Sequence, residues 1–238
     1  METTSAVVTH ERIVVQNGYM PAARAYGGVS AEERRAQRRA ALLDAALEVI
    51  GTRGFSAMTV SGLCKDAGLN DRYFAESFES REAVFSALID QMTSEMAVVM
   101  TASVAAAERD IRSLGRAAIG GLVEYLTDDP RKARVALVEA PANPTMAQRR
   151  REVMDFFLNL MDAQFLEFFG AAETQQVSEI LRFAGVHLFG AMMETTTTWL
   201  AGGLPITRDE LIDRATDLSV AVVEHVYAPT PSRAARDR

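Results

Sequence analysis

Signals for the start and end of helices recur so closely after residue 30 that few folds other than an all-helical one can contain them. Ser30, Thr59, Asn70 and Ser80 can each cap a helix N-terminus. Between residues 41 and 50 apolar side chains recur every three or four positions, which is the period of an amphipathic α-helix. The pattern predicts one long helix that stops at Gly51 and Gly54, followed by helices of about 60–67, 71–77 and 80–107.

The rest of the chain continues with helical periods, and no stretch alternates for long enough to predict a strand. Further helices are predicted at about 110–126, 131–138, 145–169, 174–201 and 208–227. We therefore expect an all-α protein of about nine helices. The predicted parts are a flexible N-terminal arm (1–29), a three-helix N-terminal domain (30–79), a larger C-terminal helical bundle (80–228) and a disordered tail (229–238).

Composition excludes several classes of protein. A single cysteine, Cys64, cannot form an intrachain disulfide framework or a multi-cysteine metal site, and it fits a reducing cytoplasm. No secretion signal or membrane-spanning run is evident, so no membrane partner is expected. No motif for a nucleophile, a phosphate loop or a metal site is present, which predicts neither an enzyme nor a cofactor. The net charge of -7 requires any DNA contact to come from a local basic patch.

Residues 59–78 have the organisation of a helix-turn-helix. A short helix is followed by a glycine turn and a second short helix. The small residues Ala67 and Gly68 allow the two helices to cross closely, so that the second can project into a DNA major groove. On its own this pattern is only moderately specific.

The residues that flank the helix-turn-helix make the prediction more specific. The stretches RRAALLDAALEVIGTRGF at 38–55, MTVSGLCKDAGL at 58–69, YF at 73–74 and FESREAVF at 78–85 follow one another in a characteristic order and spacing. Together they resemble the DNA-binding domain of the tetracycline-repressor (TetR) family, over about residues 34–92. The resemblance implies a transcriptional regulator whose C-terminal domain binds a small-molecule effector.

The resemblance also implies which residues meet DNA. Basic residues at the starts of the first and fourth helices would grip phosphates, and the third helix would enter the major groove. For the arginines a solvated helix end, partnered by nearby glutamates, is the alternative. The predicted DNA-binding residues are Arg34, Arg35, Arg38, Arg39, Thr59, Ser61, Asn70, Asp71, Arg72, Tyr73, Ser77 and Arg81.

The third helix departs from the family pattern in its charge. Asp71 stands where a lysine is common, Arg72 where a glycine is common, and Ala75 and Glu76 where aromatic residues are common. From Arg34 to Glu95 the chain has eight basic and nine acidic residues. Two interpretations of Asp71 and Glu76 are open. Either their carboxylates accept hydrogen bonds from cytosine while Arg72 binds guanine, or they pair with Arg72 or Arg81 and orient those arginines. Tyr73 either contacts the DNA backbone or is a half-buried packing residue.

The C-terminal half is rich in aromatic residues and methionine. Such a composition suits an apolar ligand pocket and equally a plain core, and the family resemblance favours the pocket. The predicted effector is small and apolar. The predicted ligand-binding residues are Tyr125, Phe157, Met161, Phe165, Phe183, His187, Met192 and Trp199.

The last two helices carry small residues and a near-heptad apolar stripe. Paired with their symmetry mates they would form a four-helix interface, whereas packing within the chain is the alternative. The predicted homodimer residues are Ala184, Ala191, Ile212, Ala215, Leu218, Ser219, Val222 and Val226. The sequence thus predicts a ligand-responsive repressor released from a palindromic operator. The alternative is a module of the same fold with weak or no DNA affinity, which binds a ligand or another protein.

Overall fold

The computed structural model describes residues 30–169 and 175–227, with the backbone alone for 165–169, 175–178, 226 and 227. Nine helices and no strand occur in these residues, which confirms the predicted all-α fold. The predicted arm (1–29) and tail (229–238) lie outside them. The helices are α1 Ala31–Arg53, α2 Val60–Asp66, α3 Asp71–Ser77, α4 Arg81–Ala106, α5 Ile111–Thr127, α6 Pro130–Arg134 with its continuation through Val135–Glu139 and Ala140–Ala142, α7 Ala147–Phe169, α8 Gln175–Leu200 and α9 Arg208–Tyr227.

The caps predicted from the sequence form as expected. Ser30 accepts from the Glu33 amide while the Glu33 carboxylate accepts from the Ser30 amide, a reciprocal capping box. Thr59, Asn70 and Ser80 likewise accept a hydrogen bond from a backbone amide in the first turn of α2, α3 and α4. These side chains fix where each helix begins, and so set the spacing of the helix-turn-helix.

A continuous apolar core joins the N-terminal helices to the bundle. One cluster of buried residues runs from Leu42 on α1 through Phe85 on α4 to Leu122 on α5 and Phe157 on α7. Helices α4 and α5 pack side by side along much of their length, and α4 also contacts α1. Burial of large apolar side chains supplies most of the favourable free energy of such packing. Movement of α4 or α5 is therefore expected to displace the N-terminal helices that share this core.

By length and composition alone, α4 is apolar enough to cross a membrane, and no other helix among the described residues is. In the fold it is a packed core helix. Its Asp90 and Glu95 side chains form ion pairs with Arg149 and Lys132 of other helices. We interpret the apolar character of α4 as that of a partly buried helix that packs against α1, α5 and α7.

Helix α6 forms a junction with the end of α1. Gly51 on α1 lies so close to α6 that an added Cβ would stand 2.4 Å from the Arg131 Cβ and 2.8 Å from its Cα. Arg134 donates to the Thr52 carbonyl over 2.9 Å, and the Phe55 amide donates to Glu139 over 3.0 Å. Arg134 and Glu139 pair with each other, so α6 contacts both the end of α1 and the turn after it.

We predict that Gly51→Ala destabilises the protein by about 1–3 kcal/mol, because the new methyl group overlaps main-chain atoms that cannot move aside cheaply. Gly120→Ala is the matched control, since Gly120 is also a buried helix residue but its added Cβ would meet only the Ile212 Cγ2, at 3.9 Å. The control should gain about 0.5–1 kcal/mol from helix propensity. Urea unfolding at one protein concentration measures both, and equal effects would contradict the packing argument.

Candidate DNA-binding surface and effector cavity

Arginines from α1 hold the C-terminal end of α3. The Arg35 guanidinium donates to the Glu76 carbonyl over 2.8 Å, and that of Arg39 donates to the Ser77 carbonyl over 3.0 Å. The last carbonyl groups of a helix have no partner within the helix and carry its negative dipole end, so cationic donors suit them well. Arg39 also lies over the Phe78 ring, 4.2 Å from its centroid. These arginines were predicted as phosphate contacts, and the structure gives them an internal role.

Glu76 is an ion-pair partner of two arginines. Its carboxylate lies 3.1 Å from the Arg72 Nε on the next turn of α3 and 3.6 Å from Arg38 on α1. Arg38 in turn covers the half-buried ring of Tyr73, 4.5 Å from its centroid. Of the two interpretations of the carboxylates, this geometry matches the pairing one for Glu76 with Arg72. Tyr73 is a packing residue in this conformation.

Among the other predicted DNA-contact residues are two helix caps and three exposed groups, while Arg34 and Ser77 are half-buried. The side-chain oxygens of Thr59 and Asn70 accept hydrogen bonds from the backbone amides of Gly62 and Tyr73. Ser61, Asp71 and Arg72 are exposed, and Arg72 is the most open, with 85% of its side chain accessible. The exposed face of α3 therefore presents one long cationic donor with two carboxylates near it.

Arg81, at the start of α4, is also engaged within the chain. It donates to the Met58 carbonyl over 3.2 Å, pairs with Glu82, and lies 4.8 Å from the centre of the Phe55 ring. The pairing of Arg81 with Asp71 or Glu76 that the sequence left open is not formed. Arg81 instead ties α4 to the segment that precedes α2.

Arg39→Ala should lower the free energy of unfolding by about 1 kcal/mol, because it removes a charge-assisted hydrogen bond and the stacking on Phe78. Arg53→Ala on the same helix is the control. Its ion-pair partner Asp66 lies 3.7 Å away and both side chains are exposed, so about 0–0.5 kcal/mol is expected. Urea unfolding compares them, and an Arg39 variant as stable as the Arg53 variant would contradict the anchoring role.

Cys64 is a buried packing residue on α2, 3% exposed. Burial, together with a hydrogen bond to Asp71 and the negative charge of that residue, raises the pKa of the thiol above its ordinary value. The reactive species of a cysteine is the thiolate, so a raised pKa makes the group inert. Asp71 is thereby placed beside α2, at the first turn of α3.

At about pH 8, close to the ordinary pKa of a thiol, we expect native Cys64 to react with an aromatic disulfide reagent only as fast as the protein unfolds. The same protein in urea should react at once and stoichiometrically. The release of the coloured thiolate measures both rates. Rapid, complete labelling of the folded protein would show that the side chain is accessible and ionised, contrary to the structure.

An apolar cavity of about 220 Å³ lies inside the bundle, away from the helix-turn-helix. Helices α4, α5, α7, α8 and α9 all contribute to its walls. Its lining includes aliphatic, aromatic and methionine side chains, with Thr101, Gln164 and Ser219 as polar members. The full lining is Met100, Thr101, Val104, Ile111, Leu114, Gly115, Ala118, Ile119, Leu122, Phe157, Leu160, Met161, Gln164, Leu188, Phe189, Met192, Ser219, Val220 and Val223.

Of the predicted ligand-binding residues, Phe157, Met161 and Met192 line this cavity. Phe183 and His187 face solvent instead, Phe183 with 76% of its surface exposed. The large apolar residues of α8 are divided between two faces, and Phe183 and His187 lie on the face away from the cavity. The side chain of Phe165 lies outside the described residues.

The other two predicted ligand-binding residues, Tyr125 and Trp199, also lie outside the cavity lining. The polar group of each donates a hydrogen bond to another part of the chain. The Tyr125 hydroxyl donates to Glu95 over 2.8 Å and Lys132 lies on its ring. Burial and the bond to Glu95 raise the pKa of Tyr125. Burial acts to raise the pKa of Glu95, but hydrogen bonds, including those from Tyr125 and Lys132, hold it below its usual value. The Trp199 indole donates to the Ile206 carbonyl over 2.8 Å.

The cavity residues that the sequence did not single out lie mainly on α4, α5 and α9. On α5 the residues Ile111, Leu114, Ala118, Ile119 and Leu122 recur at helical spacing and form one stripe. That stripe is a signal in the sequence, but it is the signal of a packed helix as much as of a cavity wall. Only the three-dimensional arrangement distinguishes the two.

The predicted dimer residues have mixed environments. Ala184 and Ile212 are buried within the chain, and Ser219 lines the cavity, so the structure corrects their assignment to a partner-facing surface. Leu218 is 70% exposed and Ala191 is exposed. Ala215 and Val222 are half-buried, and the Val226 side chain lies outside the described residues. Among the described residues no group of three or more histidine, cysteine, aspartate or glutamate side chains could hold a metal ion.

A helix-turn-helix that shares its core with a bundle enclosing an apolar cavity defines a ligand-responsive DNA-binding regulator. Residues 42–88 match the model of the bacterial regulatory proteins of the tetR family. The match covers the helix-turn-helix and its flanks, so this part of the chain is similar to the DNA-binding domain of the TetR transcription regulators. Such regulators bind DNA and small-molecule ligands.

Relatives with assigned roles share much of this chain. It is 26% identical over 166 residues, 67% of this chain and 81% of the relative, to a fatty acid metabolism regulator protein of Bacillus subtilis. The crystal structure of the FadR regulator of B. subtilis in complex with stearoyl-CoA has a TM-score of 0.64 at 22% identity, with 77% of this chain and 98% of that chain covered. FadR from Bacillus halodurans, a fatty acid degradation regulator, gives 0.63 at 22% identity, over 76% and 94%. At these identities the structural matches show the fold.

Proposed function

We propose that this protein is a homodimeric repressor that leaves a palindromic operator when a long acyl chain, as a fatty acid or its CoA thioester, occupies the cavity. The observation that carries the proposal is the apolar cavity, whose walls include α4 and α5. Its aliphatic lining suits a hydrocarbon chain and offers few hydrogen bonds to a polar guest. The similarity to a fatty acid metabolism regulator, and to a fold solved with stearoyl-CoA, supports the same effector class.

The proposed dimer pairs the outer faces of α8 and α9. On α8 the residues Ile180, Phe183, His187 and Ala191 share one side of the helix, and all four are exposed. Leu218 is exposed on α9, and Gly190 has open space around it. Large apolar side chains left in water at such spacing favour a surface that another chain covers. A second copy of this chain would cover it with a matching apolar face and place two α3 helices on one side of DNA.

The proposed DNA contacts centre on Arg72. Its guanidinium is exposed and held by Glu76, so it projects from α3 in a defined direction. An arginine in the major groove can donate both of its parallel hydrogen bonds to guanine O6 and N7. Phosphate contacts would then come from other donors, such as Ser61 and backbone amides at the starts of α2 and α3.

Effector binding would act through the helices that form both the cavity and the core. A ligand shifts a conformational equilibrium only by binding one state better than the other. An acyl chain between α4 and α5 would favour a wider spacing of these helices. Because Arg81 ties α4 to the segment before α2, and α6 contacts the end of α1, that spacing changes where α3 sits. The proposal includes no catalytic activity and a cytoplasmic location.

Fluorescence anisotropy with the promoter DNA beside the protein's own gene tests the proposal. We expect binding that falls with added salt, that a scrambled duplex does not reproduce, and that palmitoyl-CoA reverses. Free CoA is the control for the headgroup alone and should leave the complex intact. Specific DNA binding that no acyl compound reverses would exclude the effector class. Absence of specific binding would favour the alternative of a ligand-binding module.

Arg72→Ala should weaken binding to the specific operator by about 1–3 kcal/mol and should relax the preference at one base position of each half-site. Arg151→Ala on α7 is the control, since that arginine is exposed and donates to Gln148 on its own helix, outside both α3 and the proposed dimer face. Competition with operators carrying single base changes measures the effect. An Arg72 variant with full affinity and unchanged base preference would remove this residue from base recognition.

A further inference from the structure

The cavity differs along its length in polarity and in access to solvent. Thr101 on α4 and Gln164 on α7 line the cavity and are also exposed. Leu122 and Phe157 line it too, but they are buried, Phe157 with 3% of its surface accessible. The opening therefore lies between α4 and α7, and the closed end lies at Leu122 of α5 and Phe157 of α7.

The closed end is wholly apolar. Around Leu122 and Phe157 the wall is completed by Ile119, Phe189 and Met192, and the Phe157 and Phe189 rings stack with centroids 6.2 Å apart. The side of the cavity that faces α9 contains the hydroxyl of Ser219. Burial of the hydrocarbon terminus of a ligand contributes most to the binding free energy where no polar group of the protein loses its hydration. The closed end at Leu122 and Phe157 therefore favours that terminus.

We propose that the effector lies in one orientation, with its headgroup leaving between Thr101 and Gln164 and its terminal methyl group against Phe157, which sets the preferred chain length. The inference rests on the proposed acyl effector and deepens it. A headgroup at the opening stays in water, so the cavity accepts a free carboxylate and a bulky thioester alike. The terminal carbons meet residues of the core cluster that also contains Phe85 and Leu42, so chain length is sensed where the core continues into the DNA-binding helices.

The position of the terminal methyl group can be measured in the unmodified protein. Trp199 is the sole tryptophan, and it packs against the same small buried cluster (Val123, Leu211 and Ile212) as the closed-end residues Ile119 and Met192. Bromine quenches indole fluorescence on close approach. Palmitate brominated at its terminal carbon should quench most of the Trp199 emission. Palmitate brominated beside the carboxylate should bind equally and quench little, because its bromine remains at the opening.

The outcomes separate the inference from the proposed function. Stronger quenching by the carboxylate-side bromine reverses the orientation, and equal quenching excludes a fixed one. If both probes bind in calorimetry and neither quenches, the terminal carbons lie elsewhere and the inference fails while the effector class stands. If neither binds, the proposed function fails. The same comparison with the CoA thioesters of both probes tests whether the headgroup lies outside the cavity.

Two variants, one at the closed end and one on the side of the cavity that faces α9, test the role of Phe157. In the unmodified protein, affinity for saturated fatty acids should rise about fourfold per added methylene until the chain reaches the closed end. Phe157→Leu removes part of that wall and should move the limit toward longer chains. Gly115→Val fills space toward α9, where an added Cβ meets only methyl groups of Thr216 and Val220 at 3.8 and 3.9 Å, and should leave the limit unchanged.

A shift of the length limit by Gly115→Val and not by Phe157→Leu would place the terminal methyl group toward α9 and overturn the proposal. Thermal unfolding of both variants shows whether each retains its fold. If Phe157→Leu does not fold, the brominated probes in the unmodified protein still decide the orientation.

Discussion

The close packing of α6 on α1 is the constraint on which the rest of the structure depends. Gly51 has no side chain, so the main chain of Arg131 can lie against it, and Arg134 and Glu139 then reach the end of α1 and the turn beyond. Two rigid helices in such contact cannot move independently. The DNA-binding helices are held on the bundle by this contact and by the α4 core, and they have no apolar core of their own.

That arrangement gives the cavity a physical connection to α3. Helices α4 and α5 contribute to the walls of the cavity. Tyr125 of α5 and Lys132 of α6 both donate hydrogen bonds to Glu95 of α4, so these three helices are linked. A change of spacing at the cavity is therefore shared by α4 and α6, which contact the DNA-binding helices at different points. Both contacts involve ion pairs or hydrogen bonds of defined geometry, which favour discrete arrangements over continuous deformation.

Local signals predicted the fold well because they act within a few residues. Helix caps and glycine stops depend only on neighbouring backbone groups, so they can be predicted from the sequence. The caps are Ser30, Thr59, Asn70 and Ser80. The internal contacts of Arg35 and Arg39 could not be predicted, because their partners lie some forty positions away, on carbonyl groups that every residue possesses. The cavity was found in part. Methionine and phenylalanine on α7 indicated it, whereas α5 showed only the stripe of an ordinary packed helix, and the burial of Ile212 required knowledge of α5 against α9.

The hold of α1 on α3 has a consequence for how such a protein acquires new targets. Arg35 and Arg39 bind main-chain oxygens at the end of α3, so the attachment is indifferent to which side chains α3 carries. Residues 71, 72 and 75 can then be exchanged on the exposed face without releasing the helix from its support. Recognition and anchoring are separate in this domain, which leaves the recognised sequence free to diverge while the architecture stays the same.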